Sequence, residues 1–282
     1  MIKENFNKNK LSSELLKAID MLNFNDFTQV QKQVIPAVLA HKDVVVKSQT
    51  GSGKTAAYAI PICQLVDWEE NKPQALVITP TRELAIQVKE DIFNIGRFKR
   101  LKVSAIYGKS PFYDQKKELK QKTHVVVGTP GRIIDHIEKG TFDISNIKYL
   151  VIDEADEMLN MGFVEQIETI ISGLSKERVT MLLSATMPRD IESLCSKYMK
   201  NPVHIEIENQ NKAADNIFQE RYTIDALDKI ELLRDITIVE NPDSCIIFCN
   251  TKLKVDAVYN KLANLEYTCK KIHGGMEQSD RL

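Results

Sequence analysis

The sequence predicts an α/β fold in which helices cover both faces of a parallel sheet, and two observations carry that prediction. Short β-branched runs, apolar at every position, recur along the first two thirds of the chain, and longer stretches of helical periodicity separate them. Strands apolar on both faces are buried on both faces, and the helices between them supply the crossovers that parallel pairing requires. In chain order the predicted strands lie at 44–46, 75–78, 103–106, 125–127, 149–152, 181–183 and 204–207. Helices are predicted over 55–68, 82–98, 132–138 and 191–198. Residues 208–216 are polar and aperiodic, which marks a linker. A second alternation follows, with strands at 221–224, 245–248 and 268–272 and helices at 226–239 and 255–265. The expected organisation is a domain over 1–207, a linker over 208–216 and a partial α/β domain over 217–282.

Composition narrows the class. Hydrophobic residues make up 43% and charged residues 27% of the 282, which is ordinary for a globular protein. Lysine and arginine number 38 against 39 acidic residues, so no general positive coat grips nucleic acid; any such binding must use a local groove. Cys63, Cys195, Cys245, Cys249 and Cys269 lack the spacing of a zinc site and read as thiols in a reducing compartment. The polar N-terminus has no signal-like apolar region, and the apolar stretch over 56–66 is too short to span a bilayer, so a cytoplasmic protein is expected.

Ligands of parallel α/β sheets bind beyond the carboxyl ends of the strands, so chemistry is sought in the turns that follow them. After the first strand comes Ser48-Gln49-Thr50-Gly51-Ser52-Gly53-Lys54-Thr55, then a helix. Such a turn aims backbone N–H groups at phosphate oxygens, the helix start favours negative charge, Lys54 reaches the outer phosphates and Thr55 helps hold Mg²⁺. Ser48 stands where the usual pattern has glycine, and a glycine-rich turn can also be purely structural. The fifth strand delivers Asp153-Glu154-Ala155-Asp156 at its carboxyl end. Asp153 suits a metal ligand, partly through water, and Glu154 a general base that polarises attacking water. The plain alternative is an acidic first helical turn.

The letters Asp153-Glu154-Ala155-Asp156 resemble the signature of the DEAD-box ATP-dependent RNA helicases. The likeness extends through Phe24, Gln31, Pro80-Thr81-Arg82-Glu83-Leu84, Thr129-Pro130-Gly131-Arg132 and Ser184-Ala185-Thr186, and on to Ile247-Phe248-Cys249-Asn250-Thr251-Lys252 and His273-Gly274-Gly275-Met276. It implies RecA-like architecture, ATP and Mg²⁺ as ligands, and RNA as partner. It assigns adenine recognition to Gln31 beside Phe24, with Phe6 as the upstream aromatic. RNA contact falls to Thr81, Arg82, Gly108, Thr129, Pro130, Gly131 and Arg132. Asp156, Ser184 and Thr186 would couple nucleotide state to strand separation. Two readings compete at Gln31, because Thr28-Gln29-Val30-Gln31 is also a helix capping box. Departures are Phe27, where the family usually has proline, and Lys109, where it has a second glycine. The wider sequence, including Val46-Lys47-Ser48-Gln49-Thr50 and Tyr107-Gly108-Lys109-Ser110-Pro111, resembles the bacterial DbpA/YxiN branch, whose members act on large-subunit ribosomal RNA through an appended C-terminal RNA-binding domain; a monomer is expected.

The family's A-R-G-x-D and H-R-x-G-R blocks, the latter carrying its arginine finger, do not occur in these 282 residues. The expectation is a fragment of a helicase with little unwinding of its own. A short form that binds ATP and RNA without unwinding is one alternative, and a DNA translocase with chance matches is another.

Overall fold

Period-two alternation within each strand builds two cores, one on either side of a sheet. In this computed structural model, which describes residues 11–207, 218, 220–223 and 229–276, Val44, Val46, Ala75, Val77, Val125, Val127, Val151, Met181 and Leu183 feed one buried cluster. Their neighbours Val45, Leu76, Ile78, Val126, Leu150, Ile152 and Leu182 feed the other. Successive residues of the central strands therefore serve opposite cores, which is why these runs are mostly apolar on both faces.

Among the described residues, seven strands form one sheet in the order β3-β4-β2-β5-β6-β1-β7, with every pair parallel. They are β1 (Val44–Lys47), β2 (Ala75–Ile78), β3 (Val103–Ile106), β4 (Val125–Gly128), β5 (Tyr149–Ile152), β6 (Val179–Ser184) and β7 (Val203–Glu206). Helices α1 (Ser13–Met21) and α2 (Gln29–Leu39) precede the sheet. The chain runs from β1 out to β3 through α3 (Lys54–Leu65) and α4 (Arg82–Gly96). After α5 (Phe112–Lys120) it returns through α6 (Pro130–Glu138), α7 (Ala155–Asn160), α8 (Val164–Ser172) and α9 (Arg189–Tyr198). Right-handed crossovers in opposite directions put helices on opposite faces. Accordingly α3 and α4 pack in the first cluster and α6, α8 and α9 in the second. The reversal of direction opens a crevice at the carboxyl ends of the strands, where the turns after β1, β2, β4, β5 and β6 converge.

The opposite end is stapled by Asp43, which is buried. Its two carboxylate oxygens accept from the Thr180 and Lys200 N–H groups, each at 2.7 Å, tying the start of β1 to β6 and to the turn before β7. Phe27 is 3% exposed and packs in the first cluster, which explains an aromatic at that position.

The chain divides into two units, Met1–Lys212 and Ala213–Leu282. In the second, α10 (Lys229–Glu240) and α11 (Lys252–Asn264) form, but the strands predicted at 245–248 and 268–272 do not. A strand is defined by its ladder, and no described residue pairs with either segment. Ile246 and Phe248 are 81% and 90% exposed, and Leu262 is the single buried hydrophobic residue among those described in this unit, so no second core fixes a register. At 221–223 no strand forms either. The linker at 208–216, Phe6 and Ile224 lie outside the described residues.

Candidate active site and RNA face

The turn after β1 is shaped by its glycines and braced by its serines. Gly51 and Gly53 take φ of +78° and +88°, conformations that side chains disfavour. A Cβ on Gly53 would lie 2.6 Å from Gln31 Nε2, so the close approach of that side chain also favours glycine there. Ser48 donates its N–H to the Ser184 carbonyl at 3.0 Å, and its hydroxyl meets that of Ser52 at 3.0 Å. The serine in place of glycine thus braces the turn internally through its hydroxyl, while its backbone ties the turn to the end of β6. The Lys54 ammonium is buried at the head of α3 and donates to the carbonyls of Ser48 (2.7 Å) and Gln49 (3.1 Å).

Gln31 serves two neighbours at once. Its Oε1 accepts from the Thr28 N–H at 3.0 Å and its backbone N–H donates to Thr28 Oγ1, completing the capping box of α2. Its Nε2 donates to the Gly53 carbonyl at 3.2 Å. The capping reading therefore holds in this structure, and the carboxamide keeps one further N–H and one lone pair for a base. Phe24 is half-buried against the first core.

At the carboxyl end of β5 the Asp153 carboxylate is 3% exposed. Its Oδ2 accepts from the Tyr58 hydroxyl at 2.8 Å and its Oδ1 from the Glu154 N–H at 3.0 Å. Burial raises its pKa, which Tyr58 and the Lys54 charge partly offset. Glu154 takes φ +52°, ψ +52°, a left-handed conformation uncommon outside glycine, at the N-cap of α7. Its pKa is raised by burial and by the charge of Asp153. Asp156 Oδ2 accepts from the Thr186 N–H (2.8 Å) and the Thr186 hydroxyl (2.9 Å), and its own N–H donates to Ser184 Oγ at 3.1 Å. Burial pushes the Asp156 pKa up, but the hydrogen bonds from Ser184 and the 185–186 turn outweigh it and leave the value lowered. Thr186 does not cap α9, whose N-cap is Pro188 without a side-chain bond.

The structure thus brings together Ser48 to Thr55, Gln31, Asp153, Glu154, Asp156, Ser184 and Thr186. Tyr58, absent from the sequence reading, joins them. It is the single polar side chain in an apolar helical run, four residues after the lysine, and that contrast was the available signal.

The remaining turns form a second face. Thr81 caps α4 by accepting from the Leu84 N–H at 3.2 Å, and Arg82 lies beside Glu83 at 3.5 Å. Thr129 and Pro130 occupy the N-cap and N1 of α6, yet the Thr129 side chain makes no cap bond, so a free hydroxyl stands at that helix start. Gly108 has open space where a Cβ would be, and Lys109 takes φ +59°, the conformation a glycine would supply. Arg132, expected to contact RNA, turns one nitrogen inward: its Nη1 donates to the Ser110 carbonyl and to Gln115 Oε1, both at 3.0 Å. Its Nε lies 3.5 Å from Asp135. A guanidinium has five N–H donors, and these acceptors engage part of the fork.

Residues 28–194 match the family model described as DEAD/DEAH box helicase, and 228–282 the one described as helicase conserved C-terminal domain. The chain belongs to the DEAD/DEAH box helicase family. Among curated relatives of this DEAD-box chain is the ATP-dependent RNA helicase DbpA of Bacillus subtilis, 58% identical over 276 residues, or 98% of this chain and 58% of the relative. The DEAD-box ATP-dependent RNA helicase CshA of Bacillus licheniformis is 42% identical over 97% of this chain and 56% of its own length. The chain spans just over half the length of these relatives. A crystal structure of a DEAD box protein from Methanococcus jannaschii superposes with a TM-score of 0.69 at 39% identity, covering 98% of this chain and 74% of that one. Among the described residues no helix is long and apolar enough to cross a membrane.

Proposed function

We propose that this DEAD-box chain binds and hydrolyses ATP in the crevice between β1, β5 and β6 and couples that cycle to RNA held on the turns after β2, β3 and β4. The observation that carries the reading is the bridge from Asp156 to Thr186 and Ser184. It joins the carboxylate turn to the turn after β6, which itself accepts from the nucleotide loop through Ser184, so the three respond together.

Lys54 and the N–H groups of 51–55 bind the phosphates, and Gln31 with Phe24 reads the base with its remaining donor and acceptor. Glu154 takes the proton of the attacking water, and its raised pKa suits a base that must accept one. Thr55 and Asp153 suit Mg²⁺. They are hard oxygen donors on adjoining elements, Asp153 is a buried carboxylate that a cation would stabilise, and Mg²⁺ completes its shell with water and phosphate. When bound, the ion neutralises phosphate charge. Thr81, Arg82, Gly108, Thr129, Pro130 and Gly131 hold RNA phosphates, with Arg132 shaping that face from within. The likeness to DbpA supports large-subunit ribosomal RNA as the substrate class, acted on by a cytoplasmic monomer.

The test is ATP turnover with large-subunit ribosomal RNA, unrelated RNA and DNA in parallel. Stimulation by ribosomal RNA is expected, and stimulation by DNA alone would overturn the reading. Lys54→Ala should abolish nucleotide binding, whereas Glu154→Gln should retain binding and stop turnover.

A further inference from the structure

Between the RNA face and the second core lies a buried polar cluster that the proposed chemistry does not use. Gln115, on α5, is 4% exposed, and its side chain reaches three places. Nε2 donates to the Tyr107 carbonyl at 3.0 Å, at the exit of β3. Oε1 accepts from Arg132 Nη1 at 3.0 Å and lies 3.3 Å from His136 Nε2. The same Arg132 nitrogen also donates to the Ser110 carbonyl. One amide therefore holds the start of the 107–111 turn directly, and its far end through Arg132, against the first turns of α6.

The protonation pattern follows from the partners. A carbonyl can only accept and a guanidinium can only donate, so Gln115 has one orientation. With Oε1 facing it, His136 Nε2 must carry a hydrogen, and the single hydrogen of the Thr141 hydroxyl is shared between Nδ1 at 2.8 Å and the His136 carbonyl at 3.0 Å. His136 is fully buried and stacked on Phe112 at 4.1 Å, and burial with the neighbouring Arg132 charge pushes its pKa down to about 4. Asp135 opposes that shift and Lys139, which sits over the Phe112 ring, adds to it.

We propose that Gln115 is a positioning residue for RNA binding, clamping the 107–111 turn to the start of α6 so that Gly108, Lys109 and the Gly131 N–H at the helix start keep one phosphate-binding geometry. This rests on the RNA face proposed above. It also assigns Arg132 to the clamp and not to phosphate. Lys109 gives the clamp a purpose: a lysine held at positive φ relaxes unless its neighbours fix the turn.

The test compares the full chain with Gln115→Ala and Gln115→Glu, measuring RNA affinity with a non-hydrolysable ATP analogue, ATP affinity alone, and the salt dependence of RNA binding. Gln115→Glu keeps acceptors for Arg132 and His136 but sets a carboxylate oxygen against the Tyr107 carbonyl, so it releases the turn alone. Both variants should weaken RNA binding, the alanine by about tenfold or more, as expected when buried groups lose their partner. ATP affinity should stay within about twofold, as expected when no group touching nucleotide is altered. Arg132→Gln should likewise weaken RNA binding without removing one phosphate contact, which would change the salt slope by about 0.7 on a single strand. Unchanged RNA affinity in a folded Gln115→Glu variant, or a slope change of that size in Arg132→Gln, overturns the proposal. If the unsubstituted chain binds no RNA, the RNA face itself falls, and the clamp with it; equal binding by chain and variants sinks the clamp alone.

Discussion

Asp153 must keep a negative charge in a place that water barely reaches. Burial raises its pKa, and the Tyr58 hydroxyl is one of the groups that keep the charge in place. Tyr58→Phe removes that donor and nothing else, leaving a buried carboxylate oxygen short of a partner. The expected cost is about 1–3 kcal/mol of unfolding free energy, read from denaturant curves at neutral pH. Glu154 beside it is opposed by burial and by Asp153. Its folded pKa is raised, so the folded state holds a proton that the unfolded chain has released. Stability therefore falls as pH rises from the ordinary glutamate value through the raised one, while turnover rises over the same window as the base becomes free. Glu154→Gln should flatten its share of the stability profile. The letters of this turn were legible in the sequence because carboxylates at the end of an apolar strand are a local pattern. Tyr58 was not, because its meaning depends on a residue 95 positions away.

At the scale of elements, the nucleotide turn is locked to α2 by one glutamine. The capping box was visible in four consecutive residues, but the bond from Gln31 to the Gly53 carbonyl was not, since only the packing of α2 on α3 creates it. Gly53→Ala tests that junction twice over. The backbone sits at φ +88° and the new methyl would meet Gln31 Nε2 at 2.6 Å. A loss of nucleotide affinity and a destabilisation of roughly 1–3 kcal/mol are expected, by calorimetry and thermal melting. Thr28→Ala, which removes the cap while sparing the turn, should cost only about 1 kcal/mol. The inward partners of Arg132 were hidden for a similar reason. A cationic residue at a helix start reads locally as an anion site, and only tertiary structure reveals acceptors behind it. Acid should open that cluster: with His136 pushed down to about 4, its stabilisation is complete above 6.5 and is lost as pH falls between those values.

For the whole molecule, the strand pattern foretold the sheet because each strand but the edge strand β7 is buried on both faces, a condition that composition alone records. The second unit shows the converse. Its runs at 245–248 and 268–272 are as β-branched as those of the sheet, yet Ile246, Phe248 and Ile272 are exposed and unpaired. Propensity makes a strand only where a partner and a core accept it. Stability should therefore be concentrated in the first unit, which contains every buried hydrophobic residue among those described except Leu262. A chain ending at Lys212 keeps both core clusters, the seven-stranded sheet and all the groups proposed to hold nucleotide. Its melting temperature and its affinity for ATP should match those of the 282-residue chain, since each of those features is retained whole. Binding of a dye specific for exposed apolar surface should drop, because Phe248, Ile246 and Leu253 leave with the second unit. A large fall in melting temperature on shortening would instead mean that the second unit contributes to the fold of the first.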